Sequence, residues 1–219
     1  MLESGQIARL KITLDYISPA VTRRVEVPVS ILLSDLHLVI QVCMPWWNYH
    51  LYEFRAGKMH WGLPDPDGDW MGGPPVLPAK KLTLDDLIGA TGVKSFKYIY
   101  DFGDDWVHTI KIEKIGAAEP GVTYPRLLDA AGRCPPEDVG GPPGYEQYLE
   151  AIADPKHEQH SDLVAWRGPG FDPMTVDEAN IRKQLAKLAK KWAGKGAKPA
   201  KPPRKAAKPA KPPRKVWTK

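Results

Sequence analysis

The sequence predicts an α+β fold, in which a mixed β-sheet is packed by helices. Apolar and polar residues alternate with the period of a strand over residues 7–16 and again over residues 21–29. The apolar period changes to that of a helix over residues 31–43. The clearest β-hairpin follows at residues 95–101 and 106–115. A helix packed on the opening strands follows from the order of these patterns.

Two further strands are predicted between the first helix and the hairpin. Residues 50–55 alternate and pair with residues 58–62 across Ala56-Gly57. Residues 63–78 are dense in Pro, Gly and Asp and are predicted to form a loop. Residues 116–144 are also rich in Pro and Gly, so any order there has to come from side-chain contacts and turns.

The remaining helices are predicted from apolar residues at helical spacing. They cover residues 83–90, 145–153 and 176–192. Thr83 is the predicted cap of the first, which stops near Gly89 or Gly92. Thr175 and Glu178 have the spacing of a capping box before the last helix.

The hairpin strands carry aromatic residues at alternate positions, which places those side chains on one face. The residues predicted to face the core are Phe96, Tyr98 and Tyr100 on the first strand and Trp106, His108, Ile110 and Ile112 on the second. The turn between the strands, Phe102-Gly103-Asp104-Asp105, is made of residues that suit tight turning.

Charge divides the chain into two parts. Residues 193–219 contain ten Lys or Arg residues and no acidic residue, so residues 1–192 hold 21 basic against 26 acidic residues. We therefore predict one folded, mildly acidic domain over residues 1–192 and a basic tail over residues 193–219. The tail repeats KPAKPPRK at residues 198–205 and 208–215. Its prolines and like charges predict an extended, disordered segment.

The cysteines and the N-terminus indicate a cytoplasmic protein. Cys43 lies in the apolar helical pattern and Cys134 in a Pro-rich loop, a usage expected where thiols stay reduced. The opening segment MLESGQIARL lacks the basic and apolar regions of a secretory signal. The most apolar stretch, residues 31–47, is interrupted by polar residues such as Asp35, so no membrane span is predicted.

Several motifs follow one another in a specific order: LLSDLHLVIQ, W-x-x-x-HLYEF, FKYIYDFGDDWVH, YP, CPPEDVGGPPGY and FDP. In this order they resemble the plasmid Ri ORF-three-like family, whose members are also described as passenger proteins of insertion elements. The resemblance covers residues 6–185 and implies an α+β domain of unestablished activity, found in bacteria, archaea and mobile elements. Thr22, Pro45 and Val139 depart from the family pattern. Because Val139 replaces a frequent cysteine, a paired-thiol metal site at Cys134 is disfavoured.

Carboxylates and imidazoles gather near the hairpin turn. The candidate metal ligands are His50, Asp101, Asp104 and His108. Oxygen and imidazole donors suit a divalent metal ion, and no other cofactor is indicated. The alternative is that the aspartates accept hydrogen bonds from turn amides and that His108 is a core histidine. A shared site with His37 would require the helix and both strands to converge.

The catalytic candidates are Asp101, Asp104, His108 and Cys134. Cys134 shares a Pro- and Gly-braced loop with Glu137 and Asp138, and such loops carry function more often than strand interiors do. A nucleophilic cysteine requires a neighbouring histidine and a lowered thiol pKa. No phosphate-binding glycine loop, nucleophile elbow or zinc-type Cys/His spacing occurs in the sequence.

The tail predicts nucleic-acid binding without sequence preference, because flexible cations neutralise phosphates and release counterions. The predicted contact residues are Lys198, Lys201, Arg204, Lys205, Lys208, Lys211, Arg214 and Lys215. The alternative is a solubilising extension that contacts nothing specific.

Three functions stay open at this point. The first is a non-enzymatic intracellular module whose acidic body contacts a protein or ligand while the tail binds nucleic acid. The second is a metal-assisted, hydrolase-like enzyme that uses the candidate ligands near the hairpin turn. The third is a protein-interaction domain that presents Trp46, Trp47 and Trp61 beside loops. Convergence of the candidates in an open pocket favours the enzyme.

Overall fold

The computed structural model describes residues 5–64 and 74–194, and it has the predicted α+β fold. The strands are Gln6–Leu14 (β1), Val21–Pro28 (β2), Tyr52–Ala56 (β3), Met59–Gly62 (β4), Val76–Pro78 (β5), Ser95–Tyr100 (β6), Trp106–Ala117 (β7) and Arg126–Ala131 (β8). The α-helices are Leu33–Cys43 (α1), Leu84–Thr91 (α2), Gly141–Ala153 (α3), His160–Arg167 (α4) and Glu178–Gly194 (α5). A short 3-10 helix covers Ala79–Lys81.

All of these strands belong to one sheet, in the order β5-β4-β3-β6-β7-β1-β2-β8. Every neighbouring pair is antiparallel except β4 and β5, which are parallel. The predicted hairpins are confirmed, since β1 pairs with β2, β3 with β4 and β6 with β7. The long central strand β7 joins the two halves of the sheet by pairing with both β6 and β1.

One face of the sheet forms the core. Leu10 and Ile12 of β1 are fully buried, whereas the alternating residues Arg9, Lys11 and Thr13 are only half-buried. The aromatic face predicted for the hairpin is confirmed as core, with only Ile112 partly exposed. Helix α1 packs on this face and contacts α5, which in turn packs against the edge strand β8.

The prediction of loops at residues 63–78 and 116–144 was wrong in part, because each range contributes an edge strand. Among the described strands, β5 pairs only with β4, and β8 pairs only with β2. An edge strand needs one partner and few buried side chains, and in β8 Leu127 alone is fully buried. Helix α4 was also not predicted, and none of its residues is fully buried.

Two predicted helix starts were wrong. Helix α3 begins at Gly141, four residues before Tyr145. Its first turn accommodates Pro142 and Pro143, because backbone N–H groups in the first turn of a helix have no partner within the helix and the prolines lose nothing by lacking them. Thr175 does not cap α5, since its hydroxyl group donates to a carboxylate oxygen of Asp172. The predicted cap at Thr83 is confirmed, and its side chain forms a capping box with Asp86.

Other boundaries differ from the predicted ones by one or two residues, as fraying ends usually do. The predicted tail falls outside the described residues, apart from Ala193 and Gly194. Among the described helices, none combines the length and apolar character needed to cross a bilayer.

Candidate metal centre

His50 lies just before β3 rather than inside it, which corrects the predicted strand at residues 50–55. The backbone N–H groups of Tyr49 and His50 donate to the hydroxyl oxygen of Tyr100, at 3.1 and 3.4 Å, instead of to a neighbouring strand. The imidazole stands edge-on to the Tyr100 ring, with 5.7 Å between centroids. The departure from strand geometry therefore places His50 at the end of the sheet, beside the β6–β7 turn.

Asp101 follows β6 directly and is held rigidly. Its backbone φ of 57° lies in the left-handed region, which is unusual for a residue other than glycine. Its Oδ1 accepts backbone hydrogen bonds from Gly103 at 3.0 Å and Asp104 at 3.4 Å. The other oxygen, Oδ2, lies 3.5 Å from Nε2 of His50. One carboxylate oxygen thus fixes the turn while the other faces the imidazole.

Asp138 completes a three-residue cluster from the loop before α3. Its Oδ1 lies 2.9 Å from Nε2 of His50, and its φ of 62° is also left-handed. One ligand atom from each of His50, Asp101 and Asp138 lies within 4.8 Å of the other two. The three residues differ in burial: Asp101 is buried, His50 is half-buried and Asp138 is exposed. We call these three residues the metal cluster.

Glu137 ties the same loop to the sheet. Its Oε1 accepts a hydrogen bond from the hydroxyl group of Tyr100 at 2.5 Å, and its Oε2 accepts one from the backbone N–H of Trp47 at 2.6 Å. The Tyr100 hydroxyl thereby joins the loop to the segment that carries His50. These contacts hold Asp138 in position against His50.

Asp104 lies next to the metal cluster but supplies no ligand to it. Its Oδ2 accepts a hydrogen bond of 3.2 Å from the backbone N–H of Gly140. Gly141 approaches the backbone of Asp104 so closely that a β-carbon there would overlap the Asp104 carbonyl oxygen. Asp104 therefore anchors the loop that carries Asp138 to the hairpin turn.

His108 and His37 lie in the core rather than at the metal cluster. His108 is fully buried, its Nδ1 donates to the backbone oxygen of Trp106 at 3.0 Å, and burial lowers its pKa to about 4. His37 stacks on Tyr52 at 3.6 Å, and burial lowers its pKa to about 4. A buried histidine with a lowered pKa is neutral at pH 7, and these two bridge core elements.

Cys134 is buried beside Arg23. Burial raises the pKa of its thiol far above the ordinary value, and Glu137 adds to this while Arg23 opposes it. A thiol with a raised pKa is protonated at neutral pH and is a poor nucleophile. The surroundings are thus opposite to those of a catalytic cysteine.

The tryptophans predicted to be exposed differ from one another. Trp46 and Trp61 are buried, so that prediction was wrong for both. Trp47 is 57% exposed and lies 5.9 Å from the ring of Tyr49, which is 78% exposed. Trp47 and Tyr49 therefore form an exposed pair of aromatic side chains.

The structure brings together two of the four candidate ligands, His50 and Asp101. The reasoning from sequence did not include Asp138 as a ligand, although it marked the loop of Cys134, Glu137 and Asp138 as a functional setting. The missing information was spatial, because Asp138 is 88 residues from His50 along the chain.

Known proteins resemble this chain in sequence and in fold. The family model for plasmid pRiA4b ORF-3-like protein matches residues 6–180. The uncharacterized protein y4hQ of Sinorhizobium fredii is 48% identical over 192 residues, which cover 87% of this chain and 96% of that protein. A crystal structure of a protein of unknown function from Methanosarcina mazei matches with a TM-score of 0.71 and 34% identity, covering 82% of this chain and 97% of that one.

Proposed function

This chain belongs to the plasmid pRiA4b ORF-3-like family, whose matched members carry no named activity, and from its own geometry we propose that the folded domain binds a divalent metal ion. The ligands are His50, Asp101 and Asp138. The observation that carries this proposal is that three separate segments each bring one ligand atom to within 4.8 Å of the other two.

The donor set restricts which metal fits. One imidazole and two carboxylates suit Zn²⁺, Mn²⁺ or Fe²⁺ better than soft thiolate-seeking metals. Three protein ligands leave coordination positions for water or a substrate, as in catalytic rather than closed structural sites. A metal bound there would lower the pKa of a coordinated water molecule and supply a hydroxide at neutral pH. The reaction class that this supports is metal-assisted hydrolysis.

The surrounding residues suit a preorganised site. Oδ1 of Asp101 is occupied by turn amides, so Oδ2 keeps a fixed direction toward His50. Glu137 and Asp104 fix both sides of the loop that presents Asp138. Residues that orient metal ligands in this way raise metal affinity.

Metal titration of the full-length protein tests this proposal. After chelator treatment, isothermal titration with MnCl₂ and ZnCl₂ is expected to give saturable binding, weakened about tenfold or more in Asp138→Asn. Asp138 is exposed, so the variant should fold. The matched control is Asp85→Asn, which removes an exposed carboxylate from α2. Equal affinity in wild type and Asp138→Asn, or no saturable binding in wild type, refutes the proposal.

We also propose that the basic tail binds nucleic acid. The supporting observation is the distribution of charge, because residues 193–219 hold ten cations and no acidic residue whereas the rest of the chain is mildly acidic. Attraction of this kind is independent of base sequence and falls steeply with salt. In the resulting picture the tail holds the folded domain close to DNA or RNA.

A tail of unchanged length that keeps only two of its ten cations, Lys195 and Lys219, tests the second proposal. We would replace the eight Lys and Arg residues of the two KPAKPPRK repeats by Gln and measure DNA affinity against salt concentration. The variant is expected to lose most of its affinity and most of the slope of log K against log salt. An unchanged slope would show that the cations of the tail do not carry the DNA binding.

A protein partner of the folded domain is proposed on the exposed pair Trp47 and Tyr49. Aromatic residues that stay exposed are enriched at protein interfaces. Cross-linking of wild type and a Trp47→Ala/Tyr49→Ala variant should recover a partner only with the wild type. The cytoplasm is the proposed location, and it is supported by two cysteines that are both free.

A further inference from the structure

A cavity of about 340 Å³ lies between the start of β2, the loop around Cys134 and the start of α5. Three arginines line it: Arg23, Arg133 and Arg167. It is separate in its lining from the metal cluster, since none of the three metal ligands borders it. The clustering of three like charges in one concave site requires an explanation.

Arg23 is the buried member of the set, with only 1% of its surface exposed. Its Nε donates to the backbone oxygen of Cys43 at 2.7 Å. Its Nη1 donates to the backbone oxygens of Thr22, Ala131 and Gly132, at 2.8, 2.8 and 3.0 Å. Nη2 donates no hydrogen bond to any described residue. Arg23 lines the cavity, so the N–H groups of Nη2 are available to a ligand there.

Burial lowers the pKa of Arg23, because the charged form loses hydration. The four backbone oxygens around Nε and Nη1 are dipoles and supply no formal negative charge. An anion in the cavity would offset that loss directly.

Arg133 and Arg167 are exposed and border the same cavity. The guanidinium carbon of Arg133 lies 4.5 Å from the ring centroid of Phe171, and that of Arg167 lies 5.8 Å from the ring centroid of Trp47. Neither guanidinium forms an ion pair within residues 5–64 and 74–194. The guanidinium carbon of Arg167 also lies 5.5 Å from the ring centroid of Trp166. A guanidinium held over an aromatic ring keeps its N–H donors free for a ligand.

The carboxylates that line the cavity are engaged elsewhere. Both oxygens of Glu137 accept hydrogen bonds, from Tyr100 and from the backbone of Trp47. Asp177 caps the start of α5, where its Oδ1 accepts from the backbone N–H of Asn180 at 2.9 Å. With three arginines against these two carboxylates, the lining keeps a formal net charge of +1.

We propose that this cavity binds a small molecule that carries a phosphate group, with Arg23 at the floor and Arg133 and Arg167 at the mouth donating to the phosphate oxygens. A single guanidinium satisfies a planar carboxylate through two parallel hydrogen bonds, whereas three guanidinium groups suit the several oxygens and double charge of phosphate. Trp47 and Phe171 also line the cavity and supply apolar contacts for the remainder of the ligand. The inference does not depend on metal binding.

Titration of full-length protein with inorganic phosphate at pH 7.5 tests this, with binding followed by calorimetry. The wild type is expected to bind saturably, and an Arg133→Gln/Arg167→Gln variant roughly tenfold or more weakly. Both residues are exposed, so folding is expected to survive. The control is Arg55→Gln, an exposed arginine that pairs with Glu53 away from the cavity. The basic tail is the same in every variant, so its attraction for phosphate cancels.

Arg23→Lys provides a separate test of the buried donor, because lysine keeps the charge but loses the planar fork. Weaker phosphate binding by folded Arg23→Lys supports the role of Nη2, and the exposed variants decide the matter if it fails to fold. Equal affinity for phosphate in wild type and the double variant overturns the proposal. So does acetate binding as tightly as phosphate at equal ionic strength, which would assign the cavity to carboxylates.

Discussion

The carboxylate of Glu137 accepts a hydrogen bond of 2.5 Å from the hydroxyl group of Tyr100. This contact joins the loop before α3 to the end of β6, between residues that are 37 positions apart. Asp138 of the metal cluster follows Glu137 directly, and Glu137 itself lines the arginine-bearing cavity. The position of both sites thus depends on one buried carboxylate.

Glu137→Gln is expected to destabilise the protein by about 1–3 kcal/mol, because the amide has one accepting oxygen for two donors, the buried Tyr100 hydroxyl and the partly buried Trp47 N–H. The Tyr100 hydroxyl already accepts backbone hydrogen bonds, so it cannot easily reverse its role. Urea unfolding followed by circular dichroism measures the change. Glu146→Gln, an exposed change on α3, is the control and should stay within about 0.5 kcal/mol of wild type. A Glu137→Gln protein as stable as this control would contradict the role assigned to Glu137.

Stability should fall as the pH is lowered from about 6.5 toward 4. Burial lowers the pKa of both His37 and His108 to about 4, so the unfolded chain binds protons first as the pH falls. Each histidine therefore contributes roughly 3 kcal/mol of stability that is fully present above pH 6.5 and is lost progressively as the pH falls from 6.5 to 4. Unfolding free energies at pH 7.5 and pH 5.0 measure the loss.

His37→Gln should reduce this pH dependence, because it removes one of the two groups. His157→Gln changes a histidine outside the core and should leave the dependence as in wild type. A wild-type protein equally stable at pH 7.5 and pH 5.0 would show that the two buried histidines are not neutral in the folded state.

The two thiols should be unreactive in the folded protein. Burial raises the pKa of Cys43 to about 12 and that of Cys134 further still. Because the thiolate is the reactive form, iodoacetamide at pH 8 should label neither residue in native protein and both in urea. Mass spectrometry of the labelled protein gives the count. Rapid labelling of native Cys134 would revive it as a nucleophile.

A matched pair of glycine substitutions tests the contact between the hairpin turn and the loop before α3. Gly141 has a φ of 67° and no room beside the Asp104 carbonyl, so Gly141→Ala should cost about 2–4 kcal/mol. Gly89 lies in α2 with nothing within 4 Å of an added β-carbon, so Gly89→Ala should stabilise by about 0.5–1 kcal/mol. Thermal unfolding of both variants compares them, and a neutral Gly141→Ala would refute the close approach.

The sequence predicted the central part of the sheet because its signals there are local. Alternation in β1, β2, β6 and β7 and helical spacing in α1 each reflect burial on one side of an element. Strands β5 and β8 lie at the two edges of the sheet and lack that signal. Their formation depends on partners far away in the chain, which one sequence does not reveal.

The candidate site was predictable only in part, for the same reason. His50 and Asp101 stood out by residue type near the hairpin turn, but Asp138 joins them through folding of a distant loop. His108 was grouped with them because it is close in sequence, yet strand alternation turns its side chain into the core. Alternation in β2 places Arg23 on the buried face with Val21 and Val25, but the backbone oxygens that bind its guanidinium come from α1 and β8, which one sequence does not reveal.

Anomalous diffraction from crystals soaked in MnCl₂ tests the metal cluster most directly. We expect one strong peak about 2.0–2.6 Å from Nε2 of His50 and from a carboxylate oxygen of both Asp101 and Asp138. The peak should vanish in crystals of Asp138→Asn soaked in the same way. No peak at the cluster, with the His50 imidazole still between the two carboxylates, would show that these residues form an ion-paired contact rather than a metal site.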